Sequence, residues 1–110
     1  MAFKVLFIAH APDADKETHR STIKTDMYHL YTVVVKNQEE ALEICKEFVG
    51  ELKIDSILLC PGFSNKDVAE ISRTAGKHVA VAVSRGDGPG SKITMAARKR
   101  EGYPPKRFGK

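Results

Sequence analysis

The stretch Ile54-Asp55-Ser56-Ile57-Leu58-Leu59-Cys60-Pro61-Gly62-Phe63-Ser64-Asn65 decides how the chain is read. Ile57 to Cys60 are apolar without alternation, which suits a short strand covered on both faces. Pro61, Gly62 and Phe63 then make a sharp turn, and Ser64 or Asn65 starts a helix. That turn lies at the carboxyl end of the strand, where open parallel sheets place their ligand crevices.

Upstream, Asn37 suits a helix N-cap, and Glu39 and Glu40 suit a first turn whose dipole favours negative charge. Ala41, Ile44, Cys45, Phe48, Val49 and Leu52 recur at helical spacing, so a helix spans about 37–52 with Cys45 on its core stripe. Phe3–Ala9 is apolar in both alternating sets, as in a central parallel strand, and Pro12 ends it. Residues 15–24 are polar and read as an irregular segment or a short, poorly amphipathic helix. Leu30–Val35 is rich in β-branched residues and reads as a second strand.

Downstream, Val68, Ile71 and Ala75 face inward from a helix over about 65–75, stopped by Gly76. Val79–Val83 is the last strand. Ser84–Gly90 reads as a glycine-rich loop, Ile93–Arg100 as a helix with a narrow apolar stripe, and 103–110 as an extended or disordered tail.

Strands alternating with helices imply βαβ units, right-handed crossovers and a parallel sheet. The expected fold is α/β: a small, flavodoxin-like three-layer sandwich around a mostly parallel four-stranded sheet of order 2-1-3-4. Residues 1–90 form the α/β domain and 91–110 a basic C-terminal helix and tail. That strand order sets a topological switch between the first and third strands, where His10–Asp13 and Cys60–Ser64 face each other and Arg85 joins from the fourth.

A chain of 110 residues is one domain, and its 42% hydrophobic and 29% charged residues are ordinary for a globular protein. No apolar run approaches the roughly 20 residues of a membrane helix, and Val5–Ala9 is too short for a signal peptide. Cys45 and Cys60 are too few for a disulfide framework, so the cytoplasm is the expected location and no membrane partner is expected. The net charge of +4 is unevenly spread. Residues 1–84 carry 10 Lys+Arg against 12 Asp+Glu, and residues 85–110 carry 8 against 2, so the basic character belongs to the C-terminal quarter.

His10 and Pro12, then Cys60-Pro61-Gly62-Phe63-Ser64, then Arg85 give the chain a likeness to a known family. It resembles a family of small prokaryotic proteins known as a domain of unknown function. In that family a first strand ends in a His–Pro-type turn, a third ends in Cys-Gly-Gly-Phe-Gly before a helix, and a fourth ends near an Arg. Pro61 and Ser64 stand where that pattern has glycines. The resemblance covers residues 3 to about 88 and implies no activity.

Cys60 is the sharpest chemical candidate, because a thiol between a strand end and a helix N-terminus is placed for thiolate stabilisation. His10 is its candidate base. The plainer alternative is a small buried thiol beside a hydrogen-bonded histidine. Gly62, Phe63, Ser64 and Asn65 outline an anion site at a helix start, unless Ser64 or Asn65 caps the helix itself. Arg85 adds a forked donor to the same crevice, with Asp13 beside it.

Gly86–Lys92 lacks the Gly-Lys-Ser/Thr order of a P-loop and reads as a turn-rich linker. His10, Asp13, Asp15 and His19 match no zinc spacing, and no metal is assigned. A histidine after the first strand is similar to that of cobalamin-binding domains. Ile8 and Asp13 stand where their Asp-x-His-x-x-Gly motif needs Asp and Gly, so no cofactor is assigned.

Three function classes follow. The first is binding, with or without turnover, of a small anionic metabolite at His10, Asp13, Cys60, Gly62, Phe63, Ser64, Asn65 and Arg85. The second is nucleic-acid binding through Arg98, Lys99, Arg100, Lys106, Arg107 and Lys110 with Tyr103 and Phe108 interleaved. The third is a non-catalytic homo-oligomer that protects its sheet edges through Met27, Tyr28 and Tyr31.

Overall fold

A computed structural model describes residues 1–85 and 88–103. Its elements, in order, are β1 (Phe3–His10), β2 (Arg20–Lys24), β3 (Tyr28–Val35), α1 (Gln38–Leu52), β4 (Ser56–Leu59), α2 (Asn65–Ala75), β5 (Ala80–Val83) and α3 (Gly88–Arg100). They form an α/β fold with one five-stranded sheet of order β2-β3-β1-β4-β5. β1 pairs in parallel with β3 and β4, β4 pairs in parallel with β5, and β2 joins β3 antiparallel.

This corrects the expected four-stranded order. The polar segment 15–24 supplies an edge strand, not a helix. Asp15 fixes the approach to it: its carboxylate accepts from the Glu17 amide at 3.0 Å and its carbonyl from the His19 amide at 2.7 Å. Thr25 then closes the β2–β3 hairpin, its hydroxyl oxygen accepting from the Tyr28 amide at 3.0 Å. Only Ile23 is apolar in Arg20–Lys24, so the strand carries almost no alternation for a sequence reading to detect.

Helices α1 and α2 form where expected. Asn37 caps α1, accepting from the Glu40 amide at 2.9 Å. The stripe Ala41, Ile44, Cys45 and Phe48 is buried. α2 runs to Ala75, and Gly76 follows with φ of 89°, a conformation only glycine enters without strain. α3 starts five residues before the expected Ile93, with Pro89 in its first turn, where a missing N–H costs nothing. The other part of the glycine-rich loop, Gly86 and Asp87, and the tail from Pro104 to Lys110 lie outside the described residues.

The sheet has one packed face. Register sets Thr22, Tyr31, Leu6, Ile57 and Val81 in one row, and Arg20, Val33, Ile8, Leu59 and Val83 in the next row but one. The apolar members of these rows meet α1 and α2, through Ile44, Phe48, Ile71 and Ala75, in a single core. Each fully buried Leu or Ile contributes about 1.5–3 kcal/mol, and Ile8→Ala would cost about 2–5 kcal/mol because the cavity could not collapse. At the β2 edge Arg20 closes the core, its guanidinium 5.5 Å above the Phe48 ring and 3.1 Å from the Glu47 carboxylate.

The rows of the opposite face read Ile23, Leu30, Val5, Ser56, Ala80 and Ser21, Thr32, Phe7, Leu58, Ala82. No helix with buried residues lies there: α1 and α2 serve the core, and no residue of α3 is buried. The expected three-layer sandwich is therefore corrected to helices α1 and α2 on a single face. The reason is topological. Right-handed crossovers from β3 over β1 to β4, and from β4 to β5, progress in one direction across the sheet and lay both helices on the same side. The connection in the opposite direction, β1 to β3, would place a helix on the other face. Here it is spent on a turn and the edge strand β2.

Candidate functional site

β1, β4 and β5 lie side by side and parallel, so their carboxyl ends share one edge. His10 ends β1, Cys60 follows β4 directly, and Arg85 lies just beyond β5. The ladder continues to the rim: the Cys60 amide donates to the Ile8 carbonyl at 3.1 Å and the Ser84 amide to the Leu59 carbonyl at 2.8 Å.

Past β4 the chain turns through Cys60-Pro61-Gly62-Phe63, where the Phe63 amide donates to the Cys60 carbonyl at 3.4 Å. Proline presets φ for the second position of such a turn. Gly62 then lies against the His10 imidazole. A Cβ built on Gly62 would overlap His10 Cε1 and stand 2.5 Å from Nε2. Gly62 is not among the positive-φ residues, so the close approach of ring and backbone demands glycine here, not the torsion. The Phe63 ring, fully buried, holds the same imidazole at a centroid distance of 5.0 Å and a tilt of 32°. His10 is thus a buried, clamped residue, and its Nδ1 stands 3.8 Å from Cys60 Sγ, within reach of a weak sulfur hydrogen bond.

Ser64 and Asp67 form a capping box at the start of α2. Ser64 Oγ accepts from the Asp67 amide at 3.1 Å, and Asp67 Oδ2 accepts from the Ser64 amide at 3.0 Å. The box fills part of the anion cradle expected at Gly62–Asn65 with the chain's own carboxylate. The Ser64-x-x-Asp67 spacing carried that signal in the sequence, and Asp67 was overlooked there. Among the residues expected at the site the cationic one is Arg85, whose guanidinium donates to Asn65 Oδ1 at 3.0 Å. Asn65 and Arg85 are exposed, as is Asp13, in the turn that follows β1.

The edge is therefore graded: a buried floor of His10, Gly62 and Phe63, half-buried Cys60 and Ser64, and a polar rim of Asn65, Arg85 and Asp13. Phe63 supports this floor from within the core.

Residues considered for other chemistry lie apart from it. Among the described residues no group of three or more His, Cys, Asp or Glu side chains is placed to hold a metal. His19 Nδ1 accepts from the Asp15 amide at 2.9 Å, a turn contact. The Asp15 carboxyl is held below its usual range, chiefly by the Glu17 amide, with Thr18 and His19 adding to the effect and burial opposing it. Cys45 is buried in the core, and burial pushes its thiol up to about 11, so it is no nucleophile at neutral pH. Tyr31, expected at an oligomer contact, is instead buried edge-on against Phe48 at 5.6 Å. Of the basic stretch, Arg98–Arg100 form the last turn of α3, and the Arg98 guanidinium stacks over Tyr103 at 5.1 Å, the aromatic that a base would otherwise use. Lys106, Arg107, Phe108 and Lys110 lie outside the described residues. Among the described residues no helix is long and apolar enough to cross a membrane.

No curated protein and no solved structure matches the chain. A family model does, from strand β1 through most of α3. The match covers residues 3–97, and the chain belongs to the family of unknown function DUF6506.

Proposed function

We propose that the chain binds a small anionic metabolite at the carboxyl edge of its sheet, in the crevice between His10–Asp13, Cys60–Asn65 and Arg85. The supporting observation is the Arg85–Asn65 pair, which holds a guanidinium at 3.0 Å beside the same turn that buries the Cys60–His10 contact. A guanidinium has five N–H donors, and carboxylate or phosphate oxygens match two of them in a fork. The capping box favours Arg85 over the end of α2 as the anion's partner, because Asp67 already neutralises part of the positive end of that helix. The clamped imidazole and the thiol form the floor beneath it, with their mutual orientation set before any ligand arrives.

A thermal-shift screen of inorganic phosphate, pyrophosphate, citrate and malate tests this reading. A ligand at a hundredfold its Kd stabilises by about 2.7 kcal/mol, a rise of roughly 10 °C for a domain of this size. Arg85→Ala should abolish the rise, and Cys60→Ser should reduce it or leave it intact. A rise of equal size in Arg85→Ala, or none with any of the four anions, overturns the reading.

A further inference from the structure

We infer that the helix-free face of the sheet is a homodimer surface, on which a second copy of this chain stacks the same face of its own sheet. This inference does not rest on the metabolite reading.

The first support is charge. The chain carries 18 Lys+Arg and 14 Asp+Glu, yet the rows of this face, from Ile23 and Ser21 at one edge to Ala80 and Ala82 at the other, contain none. A solvated antiparallel or mixed sheet face normally alternates toward polar and charged residues. An isologous contact lays each patch on its own copy, so any charge near the axis meets its like. A face without charge is the one kind that is complementary to itself with no further adjustment. A heterologous partner would place no such restriction on it.

The second support is size. Five strands spaced about 4.8 Å apart, of 8, 5, 8, 4 and 4 residues from β1 to β5, present a footprint of roughly 450 Å² at about 3.3 Å per residue. Two copies then cover roughly 900 Å², the size of a weak, reversible interface, and each patch lies in the upper part of the range usual on a monomer. Large side chains at its margin stand out of the surface, Ile23 at 61% and Phe3 at 51% exposed, while Val5 in its middle is already buried by its neighbours. Phe3 and Tyr28 form a ring pair at 5.9 Å at one end of the face and add aromatic contact area there. Two such sheets stack at about 10 Å, as in a β-sandwich, which turns the helices outward and leaves the carboxyl edges of both copies open.

The chain's own α3 is the competing cover. Its apolar stripe comprises little beyond Ile93, Ala96 and Ala97, too narrow for a five-strand face, and Ile93 is itself 74% exposed.

Sedimentation equilibrium of the full chain from 1 to 200 µM tests the inference. The expected result is a dimer, with Leu58→Glu and Ile23→Lys each raising the dimer Kd at least tenfold and Glu43→Lys, on the wet side of α1, leaving it unchanged. Ile23 is exposed at a strand edge, so its variant keeps the fold even where Leu58→Glu does not, and circular dichroism checks both. A chain that stays monomeric at 200 µM overturns the inference. So does a dimer that neither face variant weakens, which locates the contact elsewhere. A monomer that dimerises only on truncation after Arg85 also overturns it, by identifying α3 as the cover.

Discussion

The contact between Gly62 and His10 makes a prediction that can be worked through in magnitude. Gly62→Ala adds one methyl group that overlaps His10 Cε1 and lies 2.5 Å from Nε2, about 1 Å inside ordinary contact. The neighbour is a ring held by the buried Phe63, not the free end of a flexible chain. Overpacking of this kind costs about 1–3 kcal/mol, and the overlap calls for the upper end. Since φ at Gly62 is not left-handed, alanine is otherwise tolerated and regains about 0.4–1 kcal/mol by restricting the unfolded chain. The net loss is about 2 kcal/mol, or roughly 8 °C in Tm. His10→Ala empties the space the methyl needs. In that background Gly62→Ala should become neutral or stabilising by a few tenths of a kcal/mol, a coupling of about 2–3 kcal/mol between two residues far apart in sequence. Urea unfolding of wild type, both single variants and the double variant measures it. If Gly62→Ala costs the same with and without the imidazole, steric contact is not the reason for glycine and the clamped-histidine account of the site fails.

Three further outcomes are expected. Ser64→Ala removes the side-chain half of the capping box and should cost about 1 kcal/mol in urea unfolding, with Ser64→Asp restoring most of it. Arg20→Lys keeps the charge but loses the planar stack over Phe48 and the simultaneous Nε–H to the Lys16 carbonyl and Nη1–H to Glu47, so it should destabilise by about 1 kcal/mol, whereas Glu43→Ala, in a largely exposed pair with Lys16, should change stability by under about 0.5 kcal/mol. The Cys45 thiol, raised from 9.0 to about 11 by burial, keeps its proton in the folded state after the unfolded chain has lost it. Stability should therefore fall between pH 9 and pH 11, by at most about 2–3 kcal/mol, and Cys45→Ala should lack that alkaline limb while Cys60 alone reacts with a thiol reagent in the folded protein at pH 8.

The elements legible in the sequence were those whose own side chains announce them. The stripe from Ala41 to Leu52 with Asn37 before it, and Ser64 through Ala75 with Gly76 after it, carry period, cap and stop together, and both helices form at those bounds. The candidate site was legible as far as strand ends go: parallel β1, β4 and β5 bring His10, Cys60 and Arg85 to one edge. Its interior was not. That Phe63 is floor and not rim, that Asp67 completes the cap, and that Gly62 is glycine because an imidazole lies against it are facts of side-chain packing with no local spacing to report them. β2 was missed for a different reason: an edge strand with one apolar residue is held by its partner's hydrogen bonds and by the Asp15 and Thr25 turns. Apolar runs were also overread. Ile57-Leu58-Leu59 suggested cover on both faces, yet Leu58 is 37% exposed.

That last error and the missed strand have one cause. The sheet reads as doubly covered because both faces are apolar: Leu6 and Ile8 on one side of β1, Val5 and Phe7 on the other. Apolar composition records that a face leaves water, not what covers it. In a doubly wound sheet the leftward crossover supplies the second helix layer. Here that crossover is the β2 hairpin, which widens the sheet by one strand and enlarges the bare face instead of covering it. A face kept free of charge by the sequence and left without a helix by the topology is the ground on which a cover from outside the chain is proposed. A second copy, as proposed above, would supply a matching layer without any new element. The carboxyl edge lies perpendicular to both layers, so pairing through the open face and binding at the strand ends do not compete for the same surface.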